Sequence, residues 1–332
     1  MEEAALITEI ETFIPLALQK PVGSDLPLQR IVLCGDHLQN SPILQNLPLK
    51  HYSNLDQSLF ARLLRLGVPQ THLDQQGSAR PSIAHLYSWR YKNLTTLPTL
   101  QSLPQFRAAN AGFAHEFQFV DVDDFKGVGE AEPQKHFVQN LGEAEFAVAT
   151  YQYMRLLGYP ADRISILTPY VGQWALLRDI FAARCMSNPL FGLPKAVTTV
   201  DKYQGEHNDY VILSLVRTKR VGYLRDIRRM TVALSRARLG LYVFGRREVF
   251  ESCCELSEAF GRLTSTGGGK LELVTGEMWP TQRQEGCKGE TTVMEGVEHL
   301  GKYVYDMTVT KVESLQQKQQ KDQGLEGQNI AA

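Results

Sequence analysis

Long apolar runs are missing from this chain of 332 residues: no stretch approaches the roughly 20 residues that a bilayer-spanning helix needs. The N-terminus has no basic stretch leading into an apolar one, so no secretory signal is read there. Cysteine is sparse. Cys34, Cys185, Cys253, Cys254 and Cys287 are odd in number and lack C-x-x-C spacing, which excludes a disulfide framework and the usual zinc patterns. An excess of one charge is also missing, with 35 Lys and Arg against 36 Asp and Glu and a formal net charge of −1, so the chain as a whole does not attract a polyanion. Nothing matches G-x-x-x-x-G-K-[ST], because Gly269-Lys270 is followed by Leu271 and preceded by Thr264 at the first glycine position. What remains is the expectation of a soluble, intracellular globular protein of about two domains, with 43% apolar residues to build a core.

Several segments read as buried strands or helices. Residues 5–18 carry apolar side chains at helical spacing, with Pro15 placed to kink or end the helix. Residues 30–35 (RIVLCG) are almost wholly apolar and end in Gly, as does a strand buried on both faces of a parallel sheet. Helices are expected at 55–66, 82–91, 142–157 (closed by Gly158) and 174–185. Further strands are expected at 117–122, 163–168, 197–200, 210–216 and 241–244. Strands alternating with helices imply right-handed crossovers and a parallel sheet covered on both faces. Beyond about residue 261 the pattern decays. TSTGGGK at 264–270 reads as a flexible breaker, and the Gln- and Lys-rich residues 315–332 read as disordered.

Four short segments carry chemistry. Glu2 and Glu3 are adjacent carboxylates, able to hold a phosphate-bound Mg²⁺ and to orient a water, or equally able to start a helix by offsetting its dipole. GDHLQ at 35–39 follows the apolar run at 30–35. The carboxyl end of a parallel strand is where ligands bind, and Gln39 there could sense a terminal phosphate; a polar strand-to-loop turn reads the same way. DKYQGE at 201–206 again follows a strand, with Gly205 permitting close backbone approach and Gln204 offering a donor and an acceptor. In ALSRAR at 233–238, Arg236 and Arg238 stand two apart and, read as helical, point differently. One could reach a γ-phosphate while the other pairs locally. Basic residues crowd into 217–238, which is either a local phosphate-binding stripe or a solvated face.

Taken in order, these segments resemble motifs II, III, V and VI of the superfamily-one, Upf-like RNA helicases. HYSNLDQSLFARLLRLGVP, LYSWRYKNLTTLP, NLGEAEF, LGYPADRISILTPYVGQ, VTTVDKYQGEHNDYVILSLVRT and RRMTVALSRARLGLYVF extend the likeness over about residues 1–280, toward members that act in pre-mRNA splicing. The resemblance implies an α/β fold: a RecA-like parallel sheet with helices on both faces, preceded by a partial RecA-like domain. It implies a C-terminal remnant of a first RecA-like domain at 1–70, a second RecA-like domain at 71–250, an extension at 251–310 and a disordered tail at 311–332, with 71–260 the stable unit. It implies ATP and Mg²⁺ as cofactors, hydrolysis at the cleft between the domains, intron or pre-mRNA and spliceosomal proteins as partners, no membrane, and a nuclear location.

Residue by residue, the resemblance gives Glu2 and Glu3 as the metal-binding and water-activating pair. Asp36 and Gln39 become the γ-phosphate-sensing motif, Gln204 and Gly205 the motif V turn, and Arg236 the arginine finger. Thr168, Tyr170 and Thr199 match positions near the nucleic-acid backbone. The chain also departs from the family. Leu6 replaces the motif II glutamine, and Gln76-Gly77-Ser78 stands where the family shows Gln-Tyr-Arg, with Arg80 two residues on. His207 falls where many relatives are acidic, and motif III ends Asn40-Ser41-Pro42. With the phosphate loop unmatched, these departures imply a partly diverged portion of a longer helicase that does not hydrolyse ATP alone. An inactive RNA- or spliceosome-binding module is the alternative.

Overall fold

The computed structural model describes residues 1–18, 23, 27–44 and 46–330. Its centre is a five-stranded parallel sheet of β1 (Phe117–Asp121), β2 (Ile164–Thr168), β3 (Ala196–Thr199), β4 (Asn208–Ser214) and β5 (Ala237–Gly245), in the order β1-β5-β4-β2-β3. The principal helices are α1 (Glu9–Ala17), α2 (Leu59–Arg65), α3 (Pro81–Ser88), α4 (Leu141–Leu157), α5 (Val171–Arg184), α6 (Ile227–Leu234), α7 (Ser257–Leu263) and α8 (Val297–Ile330).

Successive strand side chains feed two separate cores, which is why these strands read as continuous apolar runs. Ile164, Ile166, Tyr210, Ile212, Tyr242 and Phe244 face α4, α5 and α8. Leu167, Val211, Leu213, Leu241 and Val243 face α3, α6 and α7. The Asn140 side chain accepts from the Glu143 N–H to start α4, and Gly158, at φ +101°, closes it. This is the expected α/β, RecA-like sheet with helices on both faces.

The structure corrects three expectations. Residues 30–35 are not a buried strand: Ile31 is 48% and Val32 70% exposed, and no strand is assigned there. Among the described residues, their extended neighbour is the N-terminal segment, where the Cys34 N–H donates to the Met1 carbonyl and the Ala4 N–H to the Cys34 carbonyl, both at 2.9 Å. A strand becomes buried on both faces only inside a layered sheet, and one neighbour does not make that layer. Residues beyond 261 do not decay into irregular chain. Leu271–Val274 pairs antiparallel with Thr291–Met294, and Leu271, Leu273, Met294, Leu300 and Val304 are buried in the core against α4. Residues 311–330 are the outer part of α8 rather than a disordered tail, while Ala331 and Ala332 lie outside the described residues. Gln, Lys, Glu and Leu are good helix formers, and a helix already started in the core propagates through them.

At the N-terminus, Thr8 and Glu11 form a capping box for α1, with Pro15 inside it. Glu2 and Glu3 precede this helix start, and Glu3 lies in a turn at φ +49°, which removes the helix-cap reading of the acidic pair.

Candidate nucleotide cleft

Segments more than 150 residues apart in sequence converge beside the N-terminal turn. The Gln204 amide Nε2 donates to Glu3 Oε2 at 3.0 Å. Gly205 follows at φ +85°, a conformation that suits glycine, and a Cβ there would come within 3.6 Å of Glu3 Oε1. The other carboxamide oxygen, Gln204 Oε1, is enclosed and has no hydrogen-bond partner. Glu2 is exposed.

The GDHLQ segment supplies a second set of contacts. Asp36 Oδ1 accepts the Leu38 N–H at 2.9 Å, which shapes the turn, and Oδ2 accepts from Gln39 Nε2 at 2.9 Å. That fixes the Gln39 amide with its oxygen outward, where Arg236 Nη2 donates to it at 3.3 Å. Arg236 is 8% exposed. Its remaining donors reach the Val232 carbonyl (Nε, 3.1 Å), the Glu206 carbonyl (Nη1, 3.1 Å) and the Ser235 hydroxyl (Nη2, 2.8 Å).

The two arginines of ALSRAR do not share a helix. α6 ends at Leu234, Ser235 caps it, Arg236 lies in the connection, and Arg238 is already in β5. They nevertheless diverge: Arg238 Nη1 donates to Asp209 Oδ1 at 2.7 Å.

Burial depresses the Arg236 guanidinium, opposed by Tyr87 and Glu3. Burial and the Asp36 carboxylate raise the Tyr91 phenol, which donates to Asp36 Oδ2 at 2.6 Å. Burial likewise pushes the Tyr87 phenol up to about 12. Neither tyrosine was given a role from sequence. Tyr91 lies in LYSWRYKNLTTLP, where it reads like any aromatic beside a helix, and only the three-dimensional approach of Asp36 distinguishes it. A second missed contact is polar: Asn40 Nδ2 donates to Asp201 Oδ1 at 3.3 Å, and Arg229 Nε lies 3.4 Å from the same oxygen as an ion pair without hydrogen-bond alignment. Burial raises the Asp201 carboxyl, and Arg229 opposes that shift.

Thr168, Tyr170 and Thr199 are not part of this cluster. Thr168 and Thr199 pair in register at the carboxyl ends of β2 and β3. Thr168 is fully buried, and Tyr170 and Thr199 are 7% and 8% exposed. At the departures from the family pattern, the Leu6 N–H closes the N-terminal turn onto the Glu3 carbonyl at 2.9 Å, and the Ser78 N–H donates to Gln76 Oε1 at 3.0 Å. His207 is exposed, its imidazole held down first by partial burial and then by Arg238 and Arg236.

The donor set is oxygen-rich on one side and carries a buried cation on the other, which fits a magnesium-bound phosphate. No group of three or more His, Cys, Asp or Glu side chains suited to a metal occurs among the described residues. Mg²⁺ commonly takes only one or two protein carboxylates, completing its shell with water and substrate phosphates.

Comparison with known proteins bears on the family of the chain. A family model described as an AAA domain matches residues 55–248. The chain is 53% identical over 309 residues to RNA helicase aquarius of Mus musculus, covering 92% of this chain and 21% of that protein. It is 38% identical over 300 residues to pre-mRNA-splicing factor cwf11 of Schizosaccharomyces pombe, covering 90% and 22%. It is 30% identical over 267 residues to the regulator of nonsense transcripts 1 homolog of Arabidopsis thaliana, covering 75% and 20%. The chain thus spans about a fifth of the length of these relatives. By the family match, by the length of its likeness to aquarius and cwf11, and by the RecA-like sheet that carries the cleft, the chain belongs to the AAA-domain family of Upf-like helicases.

Proposed function

We propose that this chain is the cleft-forming portion of an ATP-dependent RNA helicase of pre-mRNA splicing, working in the nucleus with spliceosomal proteins. In this reading residues 1–70 are the end of a first RecA-like domain, and the second begins near residue 71. The observation that carries the reading is the contact between Arg236 and Gln39, which brings a buried cation and an oriented amide together beside the acidic pair. Bound Mg²⁺-ATP would supply the phosphoryl group for transfer to water, with the metal offsetting phosphate charge.

The chain's own residues have separable roles in such a step. Glu2, exposed, would hold the metal. Glu3, oriented by Gln204, takes the proton of the attacking water. Gln39 senses the terminal phosphate, and its amide is held by Asp36. Arg236 exchanges its Gln39 contact for a phosphate oxygen and offsets charge in the transition state. Gly205 leaves room for backbone approach, and the unpartnered Gln204 Oε1 accepts from a water or hydroxyl. RNA passes over the strand ends carrying Thr168, Tyr170 and Thr199. It is held chiefly by phosphate and sugar, so sequence preference is weak.

A second reading is a catalytically inactive module that binds RNA or spliceosomal proteins. It is favoured by Ser78 at the family's arginine position and by the lack of a phosphate-loop motif in these 332 residues. The purified chain with Mg²⁺-ATP and single-stranded RNA separates the two. RNA-stimulated phosphate release that falls roughly 10³-fold or more in Arg236→Ala supports the enzyme. Salt-dependent RNA binding without turnover supports the module. A chain that does neither sinks both.

A further inference from the structure

At the carboxyl end of the sheet, one short segment is held in a conformation that its side chain disfavours. β4 ends at Ser214, and Val216, fully buried two residues later, has φ +76°. A β-branched residue in the left-handed region persists only where its surroundings over-determine it.

Here the surroundings are polar and enclosed. Glu143, fully buried in the first turn of α4, accepts on Oε2 from the Val216 N–H at 2.7 Å and from the Ser214 hydroxyl at 2.7 Å. Asn140 Nδ2 donates to Glu143 Oε1 and to the Val216 carbonyl, both at 3.1 Å, so the N–H and the C=O of Val216 are both fixed. Gln173 of α5 closes the network: Nε2 donates to Ser214 Oγ at 3.0 Å, and Oε1 accepts the Asn140 N–H at 2.7 Å. Among the described residues, none of these contacts involves Glu3, Gln39, Gln204 or Arg236, so the nucleotide cleft does not account for them.

The network shapes the loop that follows. Arg217 lies over the Tyr170 ring at 5.7 Å and 3.3 Å from Glu130. Tyr223 packs edge-on against Tyr170 with centroids 4.6 Å apart. From the hairpin of Glu130–Gln134 and Phe137–Asn140, Glu130 Oε2 accepts the Thr218 N–H at 2.7 Å and the Lys219 N–H at 3.3 Å. The loop tip carries Lys219 and Arg220, both exposed, and the flanking Val216 and Tyr223 pack against Tyr170, just beyond the end of β2. Two cations on a loop pinned from inside and outside suit the phosphates of a polyanion better than two cations on a free tether, because less conformational freedom is lost on binding.

We propose that Lys219 and Arg220 contact phosphates of single-stranded RNA, and that Glu143 is the positioning residue for them, acting through the backbone of Val216. This rests on the RNA-binding reading above and adds to it the arm and the residue that sets the arm. The test uses the full chain, a fluorescein-labelled oligouridylate and a salt series, with hydrogen exchange at the Val216 amide as an independent readout. Lys219→Ala with Arg220→Ala lowers affinity about tenfold and flattens the log–log salt dependence by roughly 1.4, the value for two phosphate contacts on a single strand. Glu143→Leu, which keeps the bulk and removes both acceptors, weakens binding and speeds Val216 exchange. Glu143→Gln, whose carbonyl still accepts from Val216 but whose amide now meets Asn140 Nδ2, falls between the wild type and Glu143→Leu in both properties.

Unchanged affinity in the double alanine variant overturns the arm. A folded Glu143→Leu with wild-type affinity and a protected Val216 overturns the positioning role. If that variant does not fold, Glu143→Asp, which draws the carboxylate back by one methylene, takes its place with the same two readouts and the same criteria. A wild-type chain that binds no oligouridylate overturns the RNA-binding reading and the arm with it, while exchange at Val216 still reads the positioning role by itself.

Discussion

Burial pushes the Glu143 carboxyl up to about 8, against the Val216 and Leu215 N–H groups, the Ser214 hydroxyl and the more distant Arg246, all of which favour its charge. The folded chain therefore holds a proton between about pH 4.5, the ordinary value, and about pH 8, where the unfolded chain has released it. Unfolding releases that proton, so stability is greatest below this window and falls as pH rises through it, by at most about 1.4 kcal/mol per pH unit. Thermal denaturation across that range should show the slope in the wild type and lose it in Glu143→Gln. Nothing in NLGEAEF distinguishes Glu143 from Glu145, which is partly buried and paired with Arg184, because a carboxylate in the first turn of a helix is ordinarily solvated. Arg236 was legible because ALSRAR is a motif. Its partners were only half legible: Gln39 also stands in a motif, whereas the carbonyls of Val232 and Glu206 carry no sequence signal at all.

Among the elements, β1, β2, β4 and β5 announce themselves because both faces of each are covered, leaving apolar residues at consecutive positions. The run at 30–35 has the same composition and a different fate, since composition reports what a segment can bury and its neighbours decide what it does bury. The hairpin of Leu271–Val274 and Thr291–Met294 was illegible for the opposite reason. Each strand has four residues, and the polar, turn-rich chain between them hides the alternation. Its burial, with that of α8, makes a prediction at this scale. Leu300 is fully enclosed in the core against α4, so Leu300→Ala should cost about 2–5 kcal/mol, read by denaturant titration, although the residue lies outside the expected stable unit. A cost within the range of a surface substitution would return α8 to the status of an appendage.

For the molecule as a whole, the sheet and its two cores draw on residues from Ala79 to Val304, with Met307 packed against them. Neither core includes a described residue from before residue 70, and that segment reaches this body through polar contacts that include Glu3 with Gln204, Asn40 with Asp201 and Asp36 with Tyr91. Limited proteolysis should therefore trim the N-terminal segment first and leave a resistant body that runs past residue 300, not one that stops near 260. Equal resistance of residues 1–70 would contradict it. The parallel sheet was readable in advance from its buried strands, and the sequence order of the site residues from their motifs, although only DKYQGE directly follows a strand of the sheet, β3. The contacts between the segments were not readable, because each pairs side chains far apart in the sequence. One feature of the N-terminal segment governs how the chain behaves in bulk. Ile10, Phe13 and Ile14 stand at i, i+3 and i+4 on α1 and are 66%, 52% and 60% exposed, so a single helical face presents hydrocarbon to water. Sulfate and other strongly excluded salts raise the free-energy cost of that wetted face, and denaturants lower it. That face adds to the wetted hydrocarbon elsewhere, such as Val32 and Leu73, and together with the near-zero net charge it makes the chain prone to salt out.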